Sequence, residues 1–388
     1  MANLIRITLT SFLAYAVMSG MLAQIGILIG PMADHFGEAT TVISGQFSWL
    51  TMGILVGSVI SLFIFDFVRI KTLNLFVFAC ITISIIGFYV IDLYQANSIL
   101  LGIIGAGCGI ALPAAAIVIS RVYPPRRRAT MLVITDAAFS LSGTLCATLV
   151  VVYLARGLHW SFGYSTVAVL AIIAMGLTSI STYPEVPHEE RVDARQELAN
   201  WPKGIYLCML ALFIYLVGQN FILIWLPTYA QQTIGMEDST AGGLISNFWA
   251  GMLAGQLLAA AILLKASTRS ITLIAAILAA CATTPLWLLD QPAYFPWLAF
   301  IWGFVTLGLL KLILSLATEM VHVPSPRLVS VLLMAATTGT AISPGMSSLL
   351  VELTDPGRAI QVGSSCFFVV IILLLLAYGS EQKLVNDK

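Results

Sequence analysis

The stretch YPEVPHEERVDARQELANWPK, residues 183–203, decides the fold of this chain. It holds eight of the 36 Lys, Arg, Asp and Glu residues in 21 of 388 positions, together with three prolines. So polar and proline-rich a segment is typical of a solvated linker. Six long apolar segments precede it and six follow it. The sequence therefore predicts two hydrophobic halves joined by a polar linker.

The composition places the chain in a membrane. It is 59% hydrophobic and only 9% charged, whereas a soluble domain is about 25% charged. So few charges cannot cover the surface of a soluble fold, and lipid must cover it instead. All six cysteines fall inside apolar segments without a CxxC spacing, which argues against a disulfide or metal framework.

The apolar segments predict an all-α polytopic membrane protein with twelve transmembrane helices, because a helix needs about 20 apolar residues to span a bilayer. We expect an N-terminal bundle over residues 1–182, a cytoplasmic linker over 183–203 and a C-terminal bundle over 204–388. The predicted spans are 5–31, 43–65, 73–92, 98–120, 129–155, 162–182, 204–230, 241–264, 271–289, 296–321, 328–351 and 359–379.

The distribution of Lys and Arg predicts the orientation. One set of loops and ends carries 15 of the 18 basic residues, while the other set carries only Arg156 and Arg358. The positive-inside rule then places both termini and the linker in the cytoplasm. We expect the chain in a bacterial inner membrane.

The two halves repeat one another. A shift of 199 residues moves span 5–31 onto 204–230 and Arg128 onto Arg327. Two copies in the same orientation are typical of parallel repeats about an axis along the membrane normal. This arrangement resembles the major facilitator superfamily, and the resemblance implies two pseudo-symmetric six-helix bundles that work by alternating access.

Local motifs point to a narrower group. The loop Asp66–Lys71 is similar to the superfamily's signature loop, in which Asp66 and Arg69 would latch the cytoplasmic side. Four further motifs resemble the TsgA-like proteins, which group with the fucose–proton symporter family. These motifs are residues 134–140, 218–221, 244–249 and 323–329. The chain departs from the fucose symporters, which carry acids in the first and fourth spans, because Leu112 stands at the fourth-span position.

Two charges, Asp136 and Lys311, fall well inside apolar spans. Each costs about 2.5–3.5 kcal/mol at a helix centre on insertion scales, so each is a candidate functional residue. The resemblance places Lys311, the repeat mate of Leu112, on the central cavity, where an ammonium group attracts an anionic substrate. A structural ion pair with Asp136 is the alternative, and the two roles can coexist.

Asp136 has three interpretations: a protonatable coupling site, the partner of Lys311, or a latch of the cytoplasmic gate. Glu319, near the cytoplasmic end of the tenth span, is either a loop-edge residue or a gate residue. Both carboxylates are therefore candidates for coupling or gating.

Uncharged polar residues also lie in the two spans that should face the cavity. Tyr15 and Gln24 belong to the first span, and Gln219 and Asn220 to the seventh. Amides in hydrocarbon must be paired, so they either bind substrate or join helices. Trp225 is either a packing residue or a platform that stacks on a ring.

These observations predict a secondary transporter for a small polar metabolite, including an anionic one, with a proton or another ion coupled to it. The alternative within this class is an exporter of siderophore-like, acidic or drug-like compounds. No nucleotide-binding loop, paired deep acids or Ser/His set is present, so neither an enzyme nor a cofactor is expected. We expect a monomer in the lipid bilayer without nucleic-acid partners.

Overall fold

A computed structural model describes residues 2–65, 67–91, 93–123, 125–183, 201–263, 266–321 and 326–386. Within these ranges the chain forms twelve helices, α1 to α12, several of them in two segments. They are α1 (Ala2–Ala23 and Ile25–Phe36), α2 (Thr40–Gln46 and Ser48–Ile64), α3 (Ile70–Val90), α4 (Tyr94–Val122), α5 (Pro125–Ala155), α6 (Ser165–Ser179), α7 (Lys203–Gln232), α8 (Asp238–Ile262), α9 (Thr268–Thr283 and Pro285–Leu288), α10 (Phe295–Thr306 and Leu309–Glu319), α11 (Pro326–Leu353) and α12 (Pro356–Asn386). Short 3-10 turns, Trp160–Tyr164 and Pro292–Tyr294, lead into α6 and α10.

Each predicted span corresponds to one of these helices. Ten helical stretches in the described residues are long and apolar enough to cross a membrane, and α8 and α11 complete the set of twelve. The predicted all-α, twelve-helix fold is confirmed. Most helices extend beyond the predicted apolar core, because helical hydrogen bonding continues where hydropathy falls: α1 runs from Ala2 to Phe36 across its break.

The packing within the two halves follows the repeat. In the first half α2 packs on α4, and α1 packs on α5 and α6. In the second half α8 packs on the first segment of α10, and α7 packs on α11 and α12. The contacts correspond helix for helix, so the two six-helix bundles are pseudo-symmetric, as the sequence predicts.

Two seams join the bundles. In the first seam α5 packs against α8, and Ser246 donates a hydrogen bond to the Thr144 carbonyl oxygen at 3.3 Å. In the second α2 packs against α11, and Thr51 donates to the Ala341 carbonyl oxygen at 2.8 Å. Hydroxyl-to-carbonyl bonds of this kind hold helices together where water is absent.

The two ends of the molecule can be told apart by their contacts. At the face where α1 begins, the terminal face, Asn3 donates to the Thr182 carbonyl oxygen at 2.9 Å and Lys71 donates to that of Ser179 at 2.8 Å. At the other end, the opposite face, α1 gives way to α2 after Gly37, a residue with a left-handed φ of 67°. The candidate site residues Asp136 and Lys311 lie between these faces.

Candidate functional site

A cavity of about 190 Å³ lies between the two bundles in the middle of the molecule. Helices α1, α4, α7 and α10 all contribute side chains to it, as do α5, α8 and α11. Leu112 and Lys311, which the repeat relates to each other, both line it. We call this space the central cavity.

An ion pair crosses the central cavity from one bundle to the other. The Lys311 Nζ of α10 lies 3.3 Å from the Asp136 Oδ1 of α5. The Lys311 side chain is 43% exposed and the Asp136 side chain 20% exposed. Because both residues line the cavity, a solute that enters it meets both charges. The pair that the sequence offered as an alternative role for Lys311 is therefore formed.

Gln256 of α8 completes the surroundings of Asp136. Its Nε2 donates to the Asp136 Oδ2 at 3.4 Å, and its Oε1 accepts a hydrogen bond from the Ser140 hydroxyl at 2.8 Å. One carboxylate oxygen thus faces the lysine and the other faces the amide. We call Lys311, Asp136, Gln256 and Ser140 the bridging network, since it ties α5 of the first bundle to α8 and α10 of the second.

The tenth helix is broken just before Lys311. The span predicted over 296–321 is present as Pro292–Glu319, but its helix is interrupted, which the sequence did not predict. Leu307 and Gly308 both adopt left-handed conformations, with φ of 51° and 67°. A left-handed leucine costs about 1–2 kcal/mol, and such strain concentrates at functional sites. The break makes Lys311 a first-turn residue of a new helical segment, Leu309–Glu319.

Three of the predicted polar residues line the central cavity. Tyr15 and Gln219 are 8% and 7% exposed, and the Gln219 Oε1 has no hydrogen-bond partner among the described residues. Asn220 donates from Nδ2 to the Leu216 carbonyl oxygen at 2.8 Å and to the Thr340 hydroxyl at 3.4 Å. The amide of Asn220 therefore joins α7 to α11 and also borders the cavity.

Two other predicted substrate residues do not line the central cavity. Gln24 follows Tyr15 by nine positions, which turns it to the other side of α1 by about 180°. It is fully buried there, and its Nε2 donates to the Gly20 carbonyl oxygen at 2.9 Å. Trp225 follows Gln219 by six positions, about 240° around α7, and it is fully buried in the hydrophobic core.

Two of the predicted gate residues, Glu319 and Arg69, lie at the terminal face rather than in the cavity. Glu319 accepts a hydrogen bond from the Thr268 hydroxyl at 2.6 Å, which joins the end of α10 to the start of α9. Arg69 is exposed and precedes α3 as its N-cap residue. Asp66 lies outside the described residues, so the signature loop stays a prediction.

The central cavity is closed toward the opposite face. There α1 crosses α7 so closely that a methyl group on Gly26 would collide with the Leu223 carbonyl oxygen. Toward the terminal face the cavity extends to Leu333 of α11, seven residues after that helix begins, or about 10 Å along it. The cavity thus occupies the middle and the terminal-face half of the molecule.

A second crevice, of about 920 Å³, lies at the opposite face beyond this closure. Three acids line it: Asp34, Glu237 and Asp238. His35 and His159 also line it, and their Nε2 atoms lie 3.4 Å apart. Among the described residues no group of three or more His, Cys, Asp or Glu side chains is arranged to hold a metal ion.

Sequence reasoning missed several cavity residues because they are not unusual inside a membrane helix. Tyr215, Trp249 and Thr340 line the central cavity and are 1%, 4% and 8% exposed. Gln256 joins α8 to α5 through its hydrogen bonds and also lines the cavity. The available signal was helical spacing, since Tyr215 and Gln219 are four positions apart on one face of α7.

Comparison with known proteins agrees with this architecture. The family model described as Major Facilitator Superfamily matches residues 7–344. Protein TsgA of Escherichia coli O6:K15:H31 (strain 536 / UPEC) is 27% identical over 390 residues, which cover 99% of this chain and 98% of that protein.

Two solved structures share the fold at low sequence identity. The crystal structure of a D-xylose-proton symporter has a TM-score of 0.76 at 14% identity and covers 96% of both chains. The crystal structure of a mutant of the nucleoside transporter NupG also has a TM-score of 0.76, at 11% identity, and covers 97% of this chain and 100% of the other.

Proposed function

Because the chain belongs to the major facilitator superfamily, we propose that this transporter moves a small polar solute, anionic in its transported form, across a bacterial inner membrane together with a proton. The observation that carries the proposal is the Lys311–Asp136 pair, 3.3 Å apart in the central cavity between the two bundles. The transported solute fits between the bundles, so the transport unit is a single chain.

The pair provides a means of coupling. While Asp136 is ionised, it neutralises Lys311, and neither charge needs another partner. A proton on Asp136 leaves the ammonium uncompensated inside the protein, and an uncompensated charge there is costly. An anionic solute then replaces the carboxylate at Lys311. Proton and anion therefore bind together, because each lowers the cost of binding the other.

The bridging network also connects binding to movement. Asp136 belongs to the first bundle, and Lys311 and Gln256 belong to the second. A solute between Lys311 and Asp136 replaces a direct contact between the bundles by contacts to itself. The bundles can then rock about the solute, which is the usual motion of repeats around a fixed midplane site. Basic residues described at the terminal face, among them Lys71, Lys203 and Arg269, support its cytoplasmic location.

Transport in proteoliposomes tests the proposal. The purified chain is supplied with a panel of radiolabelled organic acids and their uncharged analogues, with and without an imposed pH gradient. We expect an acid to accumulate only when the outside is acidic. For a monoanion carried with one proton, the membrane potential should not alter the accumulation, because no net charge moves.

Variants separate coupling from binding. With the Asp136→Asn variant we expect solute exchange between equal pools to continue, while accumulation driven by the pH gradient falls about tenfold or more. Asp355→Asn is the matched control, since Asp355 lies at the opposite face and accepts a hydrogen bond from the Arg358 amide at 3.1 Å. Accumulation by Asp136→Asn equal to the wild type would refute the coupling role.

A further inference from the structure

The central cavity carries one positive charge and several neutral hydrogen-bonding groups. Lys311 is the only cation among the described residues that line it. Tyr15, Gln219, Asn220, Thr337 and Thr340 supply hydroxyl and amide groups around it. Three further aromatic side chains also line the cavity: Phe139, Tyr215 and Trp249. A ligand that matches this lining has a single anionic group and a neutral, polar body.

The break in α10 strengthens the attraction for an anion. Gly308 precedes the segment Leu309–Glu319 and gives its first amides no side-chain cap. The N-terminus of a helix is positive, and Lys311 in its first turn adds a full charge. Asp136 is the resident counter-ion of Lys311. Once Asp136 is neutral, this end of the cavity requires an anionic group from the solute.

Gln219 indicates what the rest of the ligand looks like. It is 7% exposed, it lines the same cavity, and its buried Oε1 finds no hydrogen-bond partner in the part of the chain that the structure describes. A buried acceptor left unpaired destabilises the protein. A carboxylate cannot satisfy a carbonyl oxygen, whereas a hydroxyl group can. The amide therefore favours a hydroxyl on the solute, away from its anionic end.

The charge and the volume of the central cavity restrict the class of solute further. A dicarboxylate or a phosphate dianion would bring a second negative charge that no other cation in the described lining balances. The volume of about 190 Å³ favours a small molecule over a nucleotide. We infer that the solute is a small polyhydroxylated monocarboxylate, a sugar acid, with its carboxylate at Lys311 and the start of the second α10 segment and a hydroxyl at Gln219. This inference rests on the proposed function and specifies its substrate.

Binding to the full chain in lipid nanodiscs, measured by isothermal titration calorimetry, tests it. The probes are D-gluconate, D-glucitol, which lacks the carboxylate, and butanoate, which lacks the hydroxyls. We expect D-gluconate to bind about tenfold more tightly than either analogue, a difference of about 1.4 kcal/mol. D-Glucitol binding as tightly as D-gluconate would overturn the carboxylate assignment, and butanoate doing so would overturn the hydroxyl assignment.

Variants locate the two ends of the ligand. The Lys311→Gln variant should bind D-gluconate no more tightly than D-glucitol. The Lys311→Arg variant should recover part of the preference for D-gluconate. Gln219→Leu should weaken D-gluconate and leave butanoate unchanged, while the exposed control Lys203→Gln changes neither. If Lys311→Gln keeps the full preference for D-gluconate, the assignment is wrong.

The failure of this inference can be told from that of the proposed function. If D-gluconate does not bind but another acid accumulates with the pH gradient, only the sugar-acid assignment is lost. If no acid accumulates with the gradient, the proposed function itself is lost.

Discussion

At the scale of single residues, the proposed mechanism depends on two charged side chains, Asp136 and Lys311. Either charge alone inside an apolar span raises the free energy of the folded chain, and pairing the two lowers that cost. Asp136 and Lys311 stand out in the sequence because charges inside apolar spans are rare. The sequence offered their pairing only as one alternative, since the contact depends on how α5 of one bundle meets α10 of the other across 175 positions of chain (311 minus 136). The distance of 3.3 Å establishes the contact.

A double-mutant cycle should measure this contact. Asp136→Asn alone leaves an unpaired ammonium, and Lys311→Met alone leaves an unpaired carboxylate, so each should lower the thermal unfolding midpoint. The double variant removes both charges and should lie closer to the wild type than the sum of the single effects. We expect a coupling of about 1 kcal/mol, below the value for a fully buried pair, because Lys311 is 43% exposed.

Thermal unfolding of the detergent-solubilised chain gives the four midpoints of the cycle. The Asn at position 136 can still accept the hydrogen bond of Gln256, so the cycle isolates the ionic contact from that bond. Strictly additive effects of the two changes would show that the pair contributes nothing to stability.

At the scale of helices, the break in α10 is the feature that hydropathy hides. Leu307 and Gly308 continue an apolar run, and glycine is common in membrane helices. Nothing local marks these two residues as left-handed, and the conformation fits because Gln256 of α8 packs against Gly308. Helix positions follow from apolar length, whereas such a break follows from contacts between helices. For the same reason the sequence did not predict that Gln24 and Trp225, which belong to cavity-facing helices, turn away from the cavity.

Substitution of Gly308 by alanine should separate backbone strain from contact with the bridging network. Gly308 and Gly37 have the same φ of 67°, so alanine should cost about 1 kcal/mol at either position. At Gly37 a methyl group meets no described atom within 4 Å, whereas at Gly308 it would lie 3.2 Å from the Gln256 Cγ. Gly308→Ala should therefore displace Gln256 from Asp136 and slow transport about tenfold.

Gly37→Ala is the matched control and should transport normally at a similarly reduced thermal stability. Initial rates of solute uptake and unfolding midpoints, measured on the same preparations, provide the comparison. Equal transport by the two variants would contradict a role for the Gly308–Gln256 contact.

At the scale of the whole molecule, the two bundles enclose the central cavity, which is closed at the opposite face. The sequence predicts this architecture through its duplicated pattern and polar linker, since apolar length and charge placement are local properties of the chain. It does not predict which end is closed, because that depends on two surfaces meeting. Gly26 against Leu223, and the first segment of α2 against α11, form the closure.

Accessibility of introduced cysteines should show both the orientation and the closure. Thr337 lines the central cavity, and Ser239 lines the crevice at the opposite face. A charged, membrane-impermeant thiosulfonate should modify the Ser239→Cys variant in right-side-out vesicles and the Thr337→Cys variant in inside-out vesicles. We expect each rate to be about tenfold higher than that from the other side, as for a cavity closed at one end.

The parent chain should supply the background, because its exposed Cys281 is present in both variants. A transported solute in excess should then raise the modification of Thr337→Cys from the other side, since binding lets the bundles rock and the opposite face open. Equal modification of Thr337→Cys from both sides without solute would contradict the closure at Gly26. Modification of Ser239→Cys from the inside alone would reverse the orientation that the basic residues predict.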